Sequence, residues 1–234
     1  MNTEIFESDF WNILKVIPQT LGLSLLILLL SVILGTIFWK LGYSRSQVVK
    51  RGYELLVSYL RGVPLLIHLL VFYYAIPILV KAVGNAWGSR IDTNNLSPLY
   101  AVLISYTIYS ASFLAEIIRG SFKSVGGDQL QAADALGYTE SQSFWLILVP
   151  QALSDAVPKI LNYYVLLIRQ LSLAFLVSVV DIFAKAKLVS AANDRYIEAF
   201  CAAALIYWIV CVSLTIIFNR VEHHLRRFER RSIA

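Results

Sequence analysis

The sequence predicts an all-α integral membrane protein with five transmembrane helices and a short cytoplasmic helix between the third and the fourth. Three observations predict it. Of 234 residues, 58% are hydrophobic and 15% charged, and the mean hydropathy is +0.68; a soluble domain of this length would be nearer half apolar and a quarter charged. Five stretches are long enough, and poor enough in charge, to cross a hydrocarbon core about 30 Å thick. Between two of them the chain turns polar over GGDQLQAADALGYTESQSFWLILVP, residues 126–150, which carries Asp128, Asp134, Gly137 and Glu140.

The N-terminus, MNTEIFESDFWNILK, is acidic and lacks the basic-then-apolar order of a cleaved signal peptide. Span one is VIPQTLGLSLLILLLSVILGTIFW, residues 16–39. Span two is residues 53–80, around RGVPLLIHLLVFYYAIPIL, and span three residues 98–118, SPLYAVLISYTIYSASFLAEI. Span four is residues 151–179 and span five 198–218. Residues 120–150 make a loop, residues 219–234 a basic helical tail at the membrane surface, and the whole chain one membrane domain. Trp39, Tyr43, Trp87, Tyr100 and Tyr196 fall near span ends, where amphipathic aromatics sit at the headgroups.

Lys and Arg set the orientation. Lys40, Arg45, Lys50, Arg51, Arg61, Arg119 and Lys123 share a side with Arg220, Arg226, Arg227, Arg230 and Arg231. The other side holds half as many: Lys15, Lys81, Arg90, Lys185, Lys187 and Arg195. The richer side is expected to be cytoplasmic, with the N-terminus outside and the C-terminus inside. A net charge of +5 then reflects this bias and anionic headgroups rather than nucleic acid.

Cys201 and Cys211 lie in one apolar segment, about 15 Å apart along a helix. That is too far for a disulfide within it, and they read as packing residues. His223 and His224 point to different faces of a helix with no acidic or Cys cluster near them, so no metal site is expected. There is no G-x-x-x-x-G-K-[ST] loop to hold ATP phosphates, and no G-x-S-x-G or H-E-x-x-H to suggest an enzyme.

Within the polar segment, Asp128 followed by Gln131 matches a capping box with Asp in place of Ser or Thr. Residues 129–136 then make about two turns, with Leu130, Ala133 and Leu136 near one face. Gly137 is placed to stop the helix in the left-handed conformation. Thr139 and Gln142 repeat the box and start a second helix, ESQSFWLILV, which Pro150 ends or kinks. So short a helix is marginal alone in water and persists when both faces find partners. Its inner face can lie on the membrane domain. The outer face is either that of an ordinary interfacial connector or is presented to something in the cytoplasm.

Two polar stripes cross the membrane. In span three, Ser105, Tyr109, Ser112 and Glu116 share a helical face; in span four, Asp155, Lys159, Asn162 and Arg169 do. Read as helix–helix glue, each contact is worth about 0.6 kcal/mol, with Glu116 pairing Arg119 or Lys123 and Asp155 pairing Lys159. Read as a substrate cavity, Ser105, Tyr109, Ser112 and Asn162 supply neutral hydrogen-bonding groups, and Arg169 attracts a carboxylate.

QAADALGYTESQSFWLILVP resembles the EAA loop of bacterial ABC importer permeases, in which Glu-Ala-Ala, three residues, Gly, nine residues and Ile-x-Leu-Pro recur. Those places here read Gln131-Ala132-Ala133, Gly137, Ile147, Val149 and Pro150. RGVPLLIHLLVFYYAIP, AEIIRGSFKSV and LSLAFLVSVVDI are similar to stretches of the polar amino-acid branch, while VGGDQ departs from its usual proline before Gly-Gln. The resemblance spans roughly residues 16–218. It implies the type I ABC importer permease architecture and an ATP-driven importer of a polar amino acid in the bacterial plasma membrane. Asp128, Gln131, Ala132, Ala133, Leu136 and Gly137 would belong to a coupling helix docked in a groove of the ATPase. Gln131 in place of Glu removes one possible ion pair. The implied partners are two ATPase subunits holding ATP and Mg, an extracytoplasmic solute-binding protein and a second permease subunit, identical or not. Tyr163 stands where this branch often has an acid suited to cationic substrates. The competing expectation is a secondary transporter or channel working without ATP, which would carry inverted repeats or broken helices.

Overall fold

The computed structural model describes residues 3–88, 92–93, 96–125 and 127–225. Arg90, Gly126 and residues 226–234, with most of the basic tail, lie outside the described residues, as do the side chains of Asn193, His224 and Leu225. Among the described residues the chain is helical throughout, with no strand. Five stretches are long and apolar enough to cross a membrane: Thr3–Gly42, Leu65–Ala86, Leu99–Ser124, Glu140–Val177 and Tyr196–His223.

The first stretch is two helices. α1 (Thr3–Leu14) and α2 (Ile17–Gly42) are separated at Lys15–Val16. Pro18 falls in the first turn of α2, where its missing N–H costs nothing. No pattern in the sequence marked α1 as a separate helix. Its Ile13 is fully buried with Ile182, Ala202, Ala203 and Ile206, contacts remote along the chain.

The second span starts later than its apolar run suggests. α3 (Gln47–Gly62) is a separate helix with Lys50, Arg51, Glu54 and Arg61 exposed, and Tyr53, Val57 and Leu60 buried. It ends because Pro64 forces Val63 into an extended conformation, φ −101° and ψ 134°. The span proper is α4 (Leu65–Ala86), which holds Pro77 inside it.

α5 (Leu99–Ser124) is the central helix and packs most extensively on α2. Their backbones approach closely at Gly35, where a Cβ would lie 3.0 Å from the Ala111 carbonyl oxygen and 3.1 Å from Leu114 Cβ. Ser31 lies near the same seam; its hydroxyl donates to the Ile27 carbonyl at 2.6 Å and reaches the Thr107 carbonyl at 3.3 Å. Small residues at such seams let membrane helices gain van der Waals contact.

After α6 (Gly127–Ala135) and α7 (Glu140–Gln142), the chain enters a π-helical turn, Ser143–Leu148, and continues into α8 (Val149–Gln170). Pro150 therefore neither ends nor breaks the helix. The Val149 N–H donates five residues back to the Phe144 carbonyl, so the ladder shifts by one residue. Pro150 follows just after that π turn, where the shifted ladder accommodates the N–H that proline lacks. A 3₁₀ segment, Leu171–Val177, ends at Ser178 in the left-handed region, φ 63°. α9 (Ile182–Asn193) and α10 (Tyr196–Leu225) complete the described residues.

The main core lies among α2, α4, α5 and α8, with Ile27, Leu69, Val102, Tyr106, Leu114 and Leu167 fully buried. The outer face of α2 presents Leu25, Leu29, Ile33 and Ile37, as a helix facing lipid does.

Candidate coupling surface and membrane polar groups

α6 turns Leu130 and Ala133 toward the bundle, Ala133 at 2% exposure, and leaves Asp128, Gln131, Ala132 and Asp134 outward. The helix begins at Gly127, so Asp128 lies inside the first turn instead of capping it. There its carboxylate faces the positive end of the helix dipole. The stop falls where expected. Gly137 has φ +81°; its N–H donates to the Asp134 carbonyl at 2.9 Å and the Tyr138 N–H to the Ala133 carbonyl at 3.0 Å. That pair of bonds is a Schellman motif. Leu136, which the spacing sets near one face with Leu130 and Ala133, is 78% exposed. The helix stops at Ala135, and the turn into Gly137 carries Leu136 outward.

The second capping box forms as expected. The Thr139 N–H donates to Gln142 Oε1 at 2.9 Å, and the Gln142 N–H donates to Thr139 Oγ1 at 3.3 Å. Asp134 and Glu140 flank a cavity of about 380 Å³ floored by Leu130, Tyr138, Phe144 and Leu148. No Lys or Arg occurs between Lys123 and Lys159. The exposed surface of α6 and its turn is thus acidic and partly apolar, on an end of the bundle that is otherwise basic.

Aromatic stacking ties this unit to the spans. Trp39 of α2 stacks on Phe122 of α5 with centroids 4.5 Å apart, and Phe122 stacks on Phe144 of the π turn at 6.2 Å. Ion pairs brace the same end. Arg119 grips Glu116 at 2.6 Å, Arg61 of α3 stands 3.7 Å from it, and the Tyr53 hydroxyl donates to it at 3.5 Å. Burial, helped by the Glu116 carboxylate, pushes the Tyr53 phenol up. Lys159 pairs with Asp155 at 2.5 Å, and Ser124 donates to the same carboxylate at 3.2 Å, linking α5 to α8. The expected pairs of Glu116 with Arg119 and of Asp155 with Lys159 both form.

A single chain does not gather the membrane polar residues into one site. Ser105 and Ser112 are fully buried; their hydroxyls donate to the Ala101 and Tyr109 carbonyls of their own helix at 2.5 and 2.6 Å. Tyr109 is buried between His68 and Phe113, with centroids 5.7 and 5.0 Å away. Asn162 and Arg169 are exposed on α8, and the Arg169 guanidinium donates to the Val165 carbonyl at 3.4 Å. Next to Asn162, Tyr163 turns inward and stacks on Phe113 at 5.9 Å, and the Arg61 guanidinium lies 5.3 Å over that ring. Sequence reasoning missed this aromatic group. The signals were His68, a lone histidine in an apolar helix, and Arg61, just before the Gly-Val-Pro break. It also missed Asp181, which caps α9. Its Oδ1 accepts from the Ala184 N–H at 2.8 Å and its Oδ2 from the Tyr207 hydroxyl at 2.7 Å. Burial raises the Asp181 carboxyl above the ordinary carboxylate range, and the two hydrogen bonds only partly offset it.

Residues 27–227 match the family described as binding-protein-dependent transport system inner membrane component. The chain belongs to that family. This permease is 29% identical over 230 residues to the probable amino-acid permease protein YxeN of Bacillus subtilis (strain 168), across 97% of this chain and 98% of that one. It is 33% identical over 204 residues to the probable amino-acid ABC transporter permease protein PatM of Vibrio harveyi, across 87% and 86%. Its fold matches that of a crystal structure of an amino acid ABC transporter with histidines, with a TM-score of 0.77 at 22% identity, over 91% and 93% of the two chains. It also matches the inward-facing MetNI methionine ABC transporter, with a TM-score of 0.73 at 15% identity, over 97% and 100%. The permease is a multi-pass membrane subunit of an ATP-driven importer, and its ATPase and binding protein are separate chains.

Proposed function

We propose that this permease moves a polar amino acid inward across a bacterial plasma membrane, driven through α6 by two ATPase subunits that hold the ATP and Mg. The observation that carries the reading is α6 itself: a short helix seated by Ala133, stopped at Gly137, with Gln131, Ala132, Asp134 and Leu136 turned outward. The partner groove it suits is basic and apolar, because Asp128, Asp134 and Glu140 remain although Gln131 carries no charge. The basic residues favour the α6 end as cytoplasmic, the N-terminus outside and the C-terminus inside.

Closure of the ATPases on ATP would draw two such helices together and tip the spans between outward and inward access. A second membrane subunit, identical or not, completes the pathway, and an extracytoplasmic binding protein delivers the solute. Asn162 and Arg169 on the outer face of α8 would line that pathway; Ser105, Tyr109 and Ser112 of α5, buried in the single chain, would join it only on a movement of the spans. The names of the relatives YxeN and PatM support an amino-acid substrate. An uncharged Tyr163 and an outward Arg169 favour a neutral or acidic one over arginine or lysine.

The test is reconstitution in liposomes with the cognate ATPase and binding protein. Uptake and ATPase activity should rise with one neutral or acidic polar amino acid of a panel. A flat response to every amino acid, with stimulation by a sugar or metal ion, would overturn the substrate. Uptake on an ion gradient with no ATPase present would overturn the coupling.

A further inference from the structure

Helices α2, α5 and α8 leave a groove between them toward the α6 end of the bundle. It encloses about 400 Å³ between Val32 and Thr36 of α2, Ile118 and Phe122 of α5, and Leu153 and Ile160 of α8. One charged side chain lines it, Lys40, in the last turn of α2. A second hollow of about 360 Å³ shares Trp39, Lys40, Phe122 and Phe144 with the groove and adds Tyr43 and Leu148. Among the described residues no carboxylate lines either space. The Trp39 indole N–H in the shared wall is buried without an acceptor among the described residues.

Position and charge together select the occupant. All three walls belong to stretches able to cross a membrane, so the medium that meets this groove is lipid, and an apolar slot in lipid takes an acyl chain. Lys40 is exposed where α2 ends. Its stem can lie along the apolar wall while the ammonium stays at the headgroups. Trp39 and Tyr43 beside it are the aromatics that favour that level. A cation with no carboxylate in the hollow is complementary to a phosphate. The end of the bundle proposed as cytoplasmic faces the leaflet that carries anionic lipid.

We propose that this groove is a binding site for an anionic phospholipid, with one acyl chain between α2, α5 and α8 and the phosphate on Lys40. The site has a consequence for coupling. Phe144, Trp145 and Val149, in and next to the π turn joining α6 to α8, form one of its walls. A bound chain packs against that joint and supports it, so occupancy by anionic lipid raises ATP-coupled turnover. The proposal does not depend on which solute is carried, and lipid retention can be read whether or not uptake is seen.

The test uses the complete complex in nanodiscs of phosphatidylcholine, with or without phosphatidylglycerol, followed by detergent extraction and mass spectrometry of retained lipid. The wild type should retain phosphatidylglycerol in preference to phosphatidylcholine and hydrolyse ATP faster when it is present. Lys40→Gln should weaken that retention about fivefold, the effect of one basic residue near an anionic surface, and Lys40→Arg should restore it. Leu153→Trp, which fills the groove from an exposed position, should lose retained lipid while the complex stays assembled. Equal retention of the two lipids by the wild type, or equal retention by wild type and Lys40→Gln, overturns the site. An ATPase rate indifferent to phosphatidylglycerol in the wild type overturns its role in coupling. Disulfide formation between copies through Leu153→Cys, with Cys201 and Cys211 replaced, assigns the groove to a subunit interface and also overturns the proposal.

Discussion

Gly137 is fixed by its backbone and not by its surroundings. Beyond its chain neighbours, no atom of the described residues lies within 4 Å of where its Cβ would be, yet φ is +81°. A β-branched residue there meets only conformational strain, of about 1–2 kcal/mol. Gly137→Val should insert normally yet lose most ATP-coupled uptake, because the turn that presents Leu136 and the acidic rim is re-aimed. Gly137→Asn, which tolerates the left-handed region, should keep most of it; uptake normalised to membrane level reads the difference. Asp181 behaves differently. Its carboxyl is raised by burial in the fold, so the folded state holds a proton that the unfolded chain releases. Stability from this group is greatest below the ordinary aspartate value and is lost as pH rises through the raised folded value. Asp181→Asn should flatten that dependence, seen as the wild-type-minus-variant difference in thermal midpoint of the detergent-solubilised complex between acid and neutral pH. Gly137 and the Thr139–Gln142 box were legible in the sequence because turn and cap chemistry is local. Leu136 was not, since its direction depends on which residue ends the helix.

At the scale of elements, what misled was continuity of apolar sequence. Residues 53–80 read as one span, but Pro64 and the charged face of α3 divide them. Pro150 read as an end or a kink; the helix continues through a π turn just before it, and no local pattern announces a shift of one residue in the hydrogen-bond ladder. α1 was invisible because the helices it packs on most, α9 and α10, lie far along the chain. The tight seam between α2 and α5 gives the clearest element-scale expectation. A side chain at Gly35 would press on the Ala111 carbonyl and Leu114, and backbone cannot yield as a flexible side chain can. Gly35→Leu should cost about 1–3 kcal/mol of stability, as overpacking does, with Gly35→Ala intermediate. Thermal unfolding in detergent measures it; midpoints equal to wild type would mean the seam opens freely. Ala133→Asp should act on a different element. A carboxylate forced against the bundle should lift α6 from its seat, raise protease cleavage within residues 127–142 and abolish coupled uptake, without loss of insertion.

At the scale of the whole molecule, the chain distributes its polar groups unevenly over its outer surface. α2 shows lipid an unbroken apolar face, Leu25, Leu29, Ile33 and Ile37, whereas α8 turns Asn162 and Arg169 outward at membrane depth. A polar row at that depth is costly against hydrocarbon and belongs beside protein or water. One chain leaves it uncovered, so the assembled importer must cover it or wet it. The sequence placed these two residues on one stripe but not on the outside, since periodicity shows that residues share a face and not which neighbour that face meets. With Cys201 and Cys211 replaced by alanine, Asn162→Cys in the assembled complex should react with a membrane-impermeant thiol reagent, and Leu29→Cys should not. Trapping the ATPase in its ATP-bound state should change the Asn162→Cys rate severalfold and leave Leu29→Cys inert. Equal protection of both positions in every nucleotide state would place the outer face of α8 against lipid or a sealed interface, and the aqueous pathway would have to run along another face of the bundle.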